Sequence, residues 1–379
     1  MVSLPNHDCS GNEQKLNQRE YGKGNSDGAG VHGLGAWFGA AHRDIPQIGH
    51  HHAMIIFFFI FLIVFMTNPK LKIALLCNNK MAMPAMQRLI NEGLLCAVAT
   101  ADTDPEAMHV VGAMCGNVPY TTIGCNGHKQ QLLDWVAAAQ PDVVFVITFP
   151  YRIPASVLAM PRLGFLNFHF GLLPQMRGAD PIFESIRQRL PVAGATVHVM
   201  DEGLDTGPIL LRQELPLSPE FTYGMLSGQM AMLGENMCGE VLLQLAQGLA
   251  PATIGVPQDE SKAKYWPKVG EADITIRWDK MPADDVIALV RACNPVGRGV
   301  PTSINGWKIG VVDIGMVNLD GDASAIAPGT ILAIDHQNGL IVCCLGGKAV
   351  KLEVVYTSEG YFPGYKIGLF GVGQWMVFS

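Results

Sequence analysis

Asn167 and His169 stand two residues apart in the run LGFLNFH (163–169), and Asp205 follows in MDEGLDTG (200–207). An amide, an imidazole and a carboxylate brought together suit acyl or formyl transfer. The amide and the imidazole can hydrogen-bond a developing oxyanion, and the carboxylate can orient the imidazole and help remove an amine's proton. Residues two apart on an extended strand project to the same side, so Asn167 and His169 share a face. A lone buried histidine is more often a satisfied core residue than a catalyst. The apolar run around N-x-H shifts that balance, because burying two polar groups side by side is costly without compensation. His198, in the apolar strand just before the DEGLD loop, reads as structural.

These side chains need elements to hold them. KIALLCN (72–78) is a continuous apolar strand of the kind buried on both faces. MAMPAMQRLINE (81–92) reads as a helix ended by Gly93. Strands at 94–100, 119–124, 141–149 and 163–169 alternate with helices at 105–116 and 128–139. That order predicts an α/β, Rossmann-like parallel sheet. Ligands of such sheets bind beyond the C-terminal strand ends, where Phe149 and Asn167 both fall. The first strand is followed by CNNKMAMP, with no G-x-G-x-x-G, which disfavours a dinucleotide. A strand at 194–200 and a long Met-bearing helix at 222–247 complete this part, the methionines reading as adaptable core. Residues 250–270 carry Pro and Gly with little period and read as a linker. Beyond them a helix at 282–293 precedes short strands with Gly- and Asp-containing turns, the pattern of a small antiparallel barrel.

Only 16% of the 379 residues are charged, the net charge is −7, and nearly half the chain is apolar. This is a globular composition with material for two domains. The acidic balance argues mildly against a sequence-independent grip on nucleic acid. Nine scattered cysteines without a C-x-x-C pair read as reduced thiols of a cytoplasmic protein, and no metal site is expected. The first 52 residues are Gly-, Asn-, His- and Gln-rich, with six of the eleven histidines. The apolar run AMIIFFFIFLIVFM (53–66) falls short of the ~20 residues a spanning helix needs. It also lacks the flanks of a signal peptide. The leader therefore reads as an over-extended start, with Met66 the natural one, and no membrane association is expected.

The run N-F-H-F-G-L-L-P-x-x-R-G-A-D-P-I (167–182), with MDEGLDTG (200–207), resembles the 10-formyltetrahydrofolate-dependent formyltransferases, methionyl-tRNA formyltransferase among them. K-Y-W-P-K (264–268), I-x-W (276–278) and R-A-C-N-P (291–295) are similar to that family's C-terminal barrel domain, OB-like in form. After the leader (1–66), the resemblance implies a formyltransferase catalytic domain (67–250), a linker (251–268) and a C-terminal domain (269–379). It implies Asn167, His169 and Asp205 as the catalytic residues and 10-formyltetrahydrofolate as donor, with no metal. It further implies that the loop with Phe149, Tyr151, Arg152 and Ile153 and the loop with Asp201, Glu202, Gly203 and Leu204 cradle the pterin. At two places the chain departs from the family pattern. Gly171 stands where serine is common. The stretch TADTDPEAMHVVGAMCGNVP (100–119) carries Asp102, Asp104 and Glu106 but no Lys or Arg, where tRNA-formylating members have a basic insertion. From Met66 on there are 22 basic and 28 acidic residues. These departures point to a small amine acceptor, an amino sugar nucleotide or an amino acid derivative, with tRNA disfavoured. Methionyl-tRNA formyltransferase is the alternative, and formyltetrahydrofolate hydrolase a further one. Arg177 is open between binding an anion and a solvated loop, and Asp180 between contacting an amine and an ordinary loop acid. The oligomeric state is left unknown.

Overall fold

The computed structural model describes residues 71–295 and 297–379. The expected leader, its apolar run and the start at Met66 lie outside the described residues. Strand β1 (Ile73–Cys77) is buried at all five positions. Helix α1 (Met83–Asn91) follows, then β2 (Leu95–Ala101) and α2 (Pro105–Met114), capped by the Asp104 side chain on the Ala107 N–H. After them come β3 (Tyr120–Ile123), α3 (His128–Ala139), β4 (Val143–Ile147) and the short α4 (Ala155–Leu158). Next are β5 (Phe165–His169), β6 (Arg177–Gly178) and α5 (Pro181–Arg187), then β7 (Val192–Val199), β8 (Ile209–Pro216) and the long α6 (Tyr223–Ala246).

One sheet of seven strands runs in the order β3-β2-β1-β4-β5-β7-β8. The first five are parallel, as the alternating pattern predicts. At the far edge β7 runs antiparallel to β5, and β8 antiparallel to β7, a correction to a wholly parallel sheet. On one face, Ala74, Leu76, Val144 and Val146 pack under Leu132 and Val136 of α3 and Val157 of α4. On the other, α1 packs along α6. Of the four methionines of α6, Met230 and Met237 are core, as read, while Met225 and Met232 are about half exposed, a correction to that reading. Such side chains each contribute about 1.5–3 kcal/mol on full burial.

The segment after α6 is less slack than a linker pattern suggests. It holds α7 (Pro251–Ile254), an antiparallel bridge from Val256 to Ile209, and β9 (Tyr265–Trp266), which pairs with β6. Helix α8 (Ala283–Cys293) is buried at eight of its positions because it packs on α5 and also on β11 (Trp307–Val317). Around β11 lie β10 (Val300–Ile304), β12 (Ile331–Asp335), β13 (Gly339–Cys343), β14 (Ala349–Thr357) and β15 (Gly360–Pro363). All are antiparallel, in the order β10-β11-β14-β13-β12 with β15 on β14. Bridges Ile304↔Phe378 and Thr330↔Val377 tie the chain's last residues to both edges. The sheet thus closes on itself, which leaves little open edge.

Trp278 is buried in this domain and donates its indole N–H to Thr302. Seven cysteines among the described residues are free thiols. No described helix is long and apolar enough to cross a membrane.

Candidate active site

The C-terminal ends of β4 and β5, the turn after β7 and the β6–β9 pair converge at one edge of the sheet. Asn167 and His169 share a face of β5, as their spacing predicts, and the antiparallel β7 sets His198 opposite Asn167 and Thr196 opposite His169. Asp205 arrives from the loop between β7 and β8. His169 and Asp205 are each 7% exposed.

His169 Nε2 lies 2.7 Å from the Met176 carbonyl oxygen. A carbonyl only accepts, so Nε2 carries the proton and Nδ1 is the basic nitrogen. Nδ1 faces Asp205 Oδ1 at 3.6 Å. Burial of the ring holds His169 below the usual imidazole range, against the pull of Asp205 and the Met176 carbonyl. Burial alone would raise the Asp205 carboxyl; the facing His169 ring and the Gly178 N–H outweigh it and hold it below the usual carboxylate range. The site therefore carries an ionised carboxylate beside a neutral imidazole.

The backbone around Asp205 is specialised. Asp205 has φ 57°, a left-handed conformation that Asp and Asn tolerate better than most residues. Its Oδ2 accepts the Gly178 N–H at 2.9 Å. Gly178 itself has φ 125°, and a Cβ there would lie 2.1 Å from the Trp266 carbonyl oxygen. Only glycine can make that approach. Thr148, at the end of β4, has φ 61°. Strained residues of this kind cluster at functional sites.

Gln258, from the segment after α6, donates from Nε2 to the carbonyls of Asp205 and Gly207, 2.8 Å in both cases. Its Oε1 accepts from Arg177 Nη2 at 2.9 Å. Arg177 is fully buried, and also bonds both Glu260 oxygens and the Tyr265 hydroxyl. It is neither an open anion site nor a solvated loop residue; it clasps the inter-domain segment to the catalytic loops. Asp180 caps α5 through the Phe183 N–H and accepts from the Tyr223 hydroxyl, and burial pushes its carboxyl up to about 6. Gly171 has a steric reason: a Cβ would sit 2.6 Å from Pro181 Cβ and 2.9 Å from His169 Nε2.

The two loops expected to hold a pterin face each other. Arg152 Nη2 donates to the Glu202 carbonyl oxygen at 2.7 Å, joining them. Phe149 and Tyr151 meet edge to face with centroids 5.4 Å apart, and the Tyr151 hydroxyl bonds Asp102. Ile153 is buried below them in the core. Asp201 accepts from the Gly203 N–H and the Thr206 hydroxyl, so it shapes the turn. Leu204 is 61% exposed beside Asp205. Among the described residues no group of His, Cys, Asp and Glu is arranged to hold a metal. The sequence reading missed the direct contact of His198 with Asn167, and the roles of Met176, Gly178 and Gln258. The N–H of Gly178 and the carbonyl of Met176 are backbone groups and leave no mark in residue type.

Residues 78–242 match the formyl transferase family, and residues 268–360 match its C-terminal domain. The methionyl-tRNA formyltransferase of Ruminiclostridium cellulolyticum is 31% identical over 319 residues, 78% of this chain and 97% of that enzyme. That of Aromatoleum aromaticum is 37% identical over 217 residues, 57% of this chain and 65% of that enzyme. Among solved structures, HypX from Aquifex aeolicus in complex with tetrahydrofolic acid superposes with a TM-score of 0.56 at 16% identity, over 81% of this chain and 48% of that one. An N-formyltransferase from Helicobacter canadensis, bound to folinic acid and a dTDP-amino sugar, gives a TM-score of 0.54 at 16% identity, over 74% of this chain and 98% of that one. At such identities the structural likeness speaks to the fold. Both sequence patterns on one chain, with a relative matched along nearly its whole length, place this chain in the formyl transferase family.

Proposed function

We propose that this chain moves a formyl group from 10-formyltetrahydrofolate to the amino group of methionyl-tRNA. The alignment along 97% of the R. cellulolyticum methionyl-tRNA formyltransferase carries this reading. It differs from the small-amine acceptor that the sequence suggests, because that relative matches across both domains. On this reading the catalytic domain spans 67–250, the connecting segment 251–268 and the C-terminal domain 269–379.

The donor's expected seat suits a flat, polar ring. Phe149, Tyr151 and exposed Leu204 offer apolar surface, and Arg152 ties the two loops together at the Glu202 carbonyl. The donor supplies a formyl group already bonded to nitrogen, so the reaction exchanges one nitrogen for another. The acceptor nitrogen bonds the formyl carbon, the bond to the folate nitrogen breaks, and one proton passes from the acceptor amine to the folate nitrogen. Asn167 presents an amide N–H to the formyl oxygen as negative charge develops there. His169 takes the amine proton on Nδ1, its Nε2–H being committed to Met176. Asp205 stays ionised and stabilises the imidazolium as it forms. His169 then returns the proton to the leaving nitrogen.

A second reading keeps the chemistry and changes the acceptor to a small amine. It rests on the region beside β2 and β3, where residues 93–127 contain no Lys or Arg and the cation that reaches it, Lys80, is paired with Glu106. Incubation with 10-formyltetrahydrofolate and either methionyl-tRNA or a panel of amino sugar nucleotides and amino acids separates the two. A formyl mass on the tRNA supports the proposal. A formyl mass on a small amine alone replaces it with the second reading.

A further inference from the structure

His198 is 2% exposed and faces Asn167 across the β5–β7 ladder. Its Nδ1 lies 3.0 Å from the carbonyl oxygen of Val199. That oxygen can only accept, so the ring proton sits on Nδ1 and Nε2 holds a lone pair. Nε2 is 3.1 Å from Asn167 Nδ2. An amide has one donor end and one acceptor end, and only the donor end can face a lone pair. The pairing settles which way the Asn167 amide is turned. Asp205 Oδ1, 3.7 Å from His198 Nε2, is beyond hydrogen-bond length and does not compete for it.

The loop after β7 protects this arrangement. A Cβ on Gly207 would lie 1.7 Å from the Val199 oxygen, the acceptor that fixes the His198 proton. Glycine in D-T-G thus leaves that carbonyl free to bond the ring. Thr196, two residues back on the same face of β7, accepts the Leu173 N–H and donates to the Gly171 carbonyl, holding the turn after His169. One strand therefore supports both catalytic neighbours on β5.

We propose that His198 is a positioning residue: through its Nε2 lone pair it turns the Asn167 amide so that an N–H points at the reacting formyl oxygen. The inference rests on the formyl-transfer reading and adds a residue to it. A misoriented amide would offer its oxygen to a developing oxyanion, and misplacement of a reacting group costs on the order of 10²-fold in rate.

The test compares His198→Leu and His198→Gln in the full chain with wild type. The expected results are a fall in kcat of about 10²-fold for His198→Leu, with KM for 10-formyltetrahydrofolate little changed, and recovery of most of that loss in His198→Gln. Glutamine keeps an acceptor facing Asn167; leucine keeps only bulk. A wild-type rate in His198→Leu, or equal losses in both variants, overturns the proposal. A readout free of catalysis distinguishes its failure from failure of the formyl-transfer reading. The Asn167 side-chain amide resonances, assigned with Asn167→Asp, should show one hydrogen-bonded proton that moves toward solvent values in His198→Leu and stays in place in His198→Gln. Unchanged resonances in His198→Leu also overturn it.

Discussion

His169 and Asp205 divide the proton chemistry by environment. Burial keeps the imidazole neutral, and neighbouring donors keep the carboxylate ionised. Replacement of His169 by Ala is expected to abolish transfer while leaving folate binding intact, read by turnover and by a titration with the folate. The same environment sets a pH dependence. A histidine whose folded pKa is depressed costs the folded state stability as pH falls through its unfolded value of about 6.5. Above that value both states carry a neutral ring and the cost vanishes. Asp205 adds a loss of the same sign at lower pH, below about 4. The melting temperature should therefore drop between about pH 8 and 5, less steeply in His169→Gln, and kcat should rise to a plateau toward neutral pH. Gly171 is constrained as tightly: Gly171→Ala should cost about 1–3 kcal/mol by overpacking. It should also slow catalysis, since the added methyl meets His169 Nε2. Thermal melts and rates check both.

At the scale of elements, β5 and its apolar run could be read from sequence because burial on both faces forces a continuous hydrophobic string. Asn167 and His169 then followed from period two. The antiparallel turn of β7 could not be read this way, since strand direction leaves no trace in residue pattern, and by sequence alone His198 reads as structural. Helix α5 carries an ordinary helix-start signal in its sequence, Asp180 as cap and Pro181 in the first turn. The segment after α6 looked like a linker because its contacts are made by single polar side chains without period. Its hold on the site predicts that Arg177→Met, which leaves Gln258 Oε1 without its partner, costs about 1.5–3 kcal/mol. It should also lower kcat by loosening the Asp205 loop. Denaturant melts and steady-state kinetics test this; unchanged kcat would make the clasp purely structural.

Across the whole molecule, the two sheets share α8. It is buried by α5 on one side and β11 on the other, so the domains meet through core rather than through surface charges alone. Arg291 bonds the Pro219 carbonyl and Glu220, and Arg189 pairs with Asp285 at 2.9 Å. Leu289→Ala should destabilise by about 2–5 kcal/mol with unfolding still a single transition. Arg189→Ala, at a half-exposed pair, should change stability by under about 1 kcal/mol. Two separate melts in Leu289→Ala would show that the domains hold together less tightly than α8 implies.

The left-handed backbone at Asp205 has a consequence for dissecting the site by mutagenesis. Asparagine rests in that conformation almost as readily as aspartate. Alanine and glutamate pay for it, at roughly 1–2 kcal/mol. Asp205→Asn is therefore an isosteric probe that removes charge and leaves the loop at ease, whereas Asp205→Ala confounds a lost charge with a strained main chain.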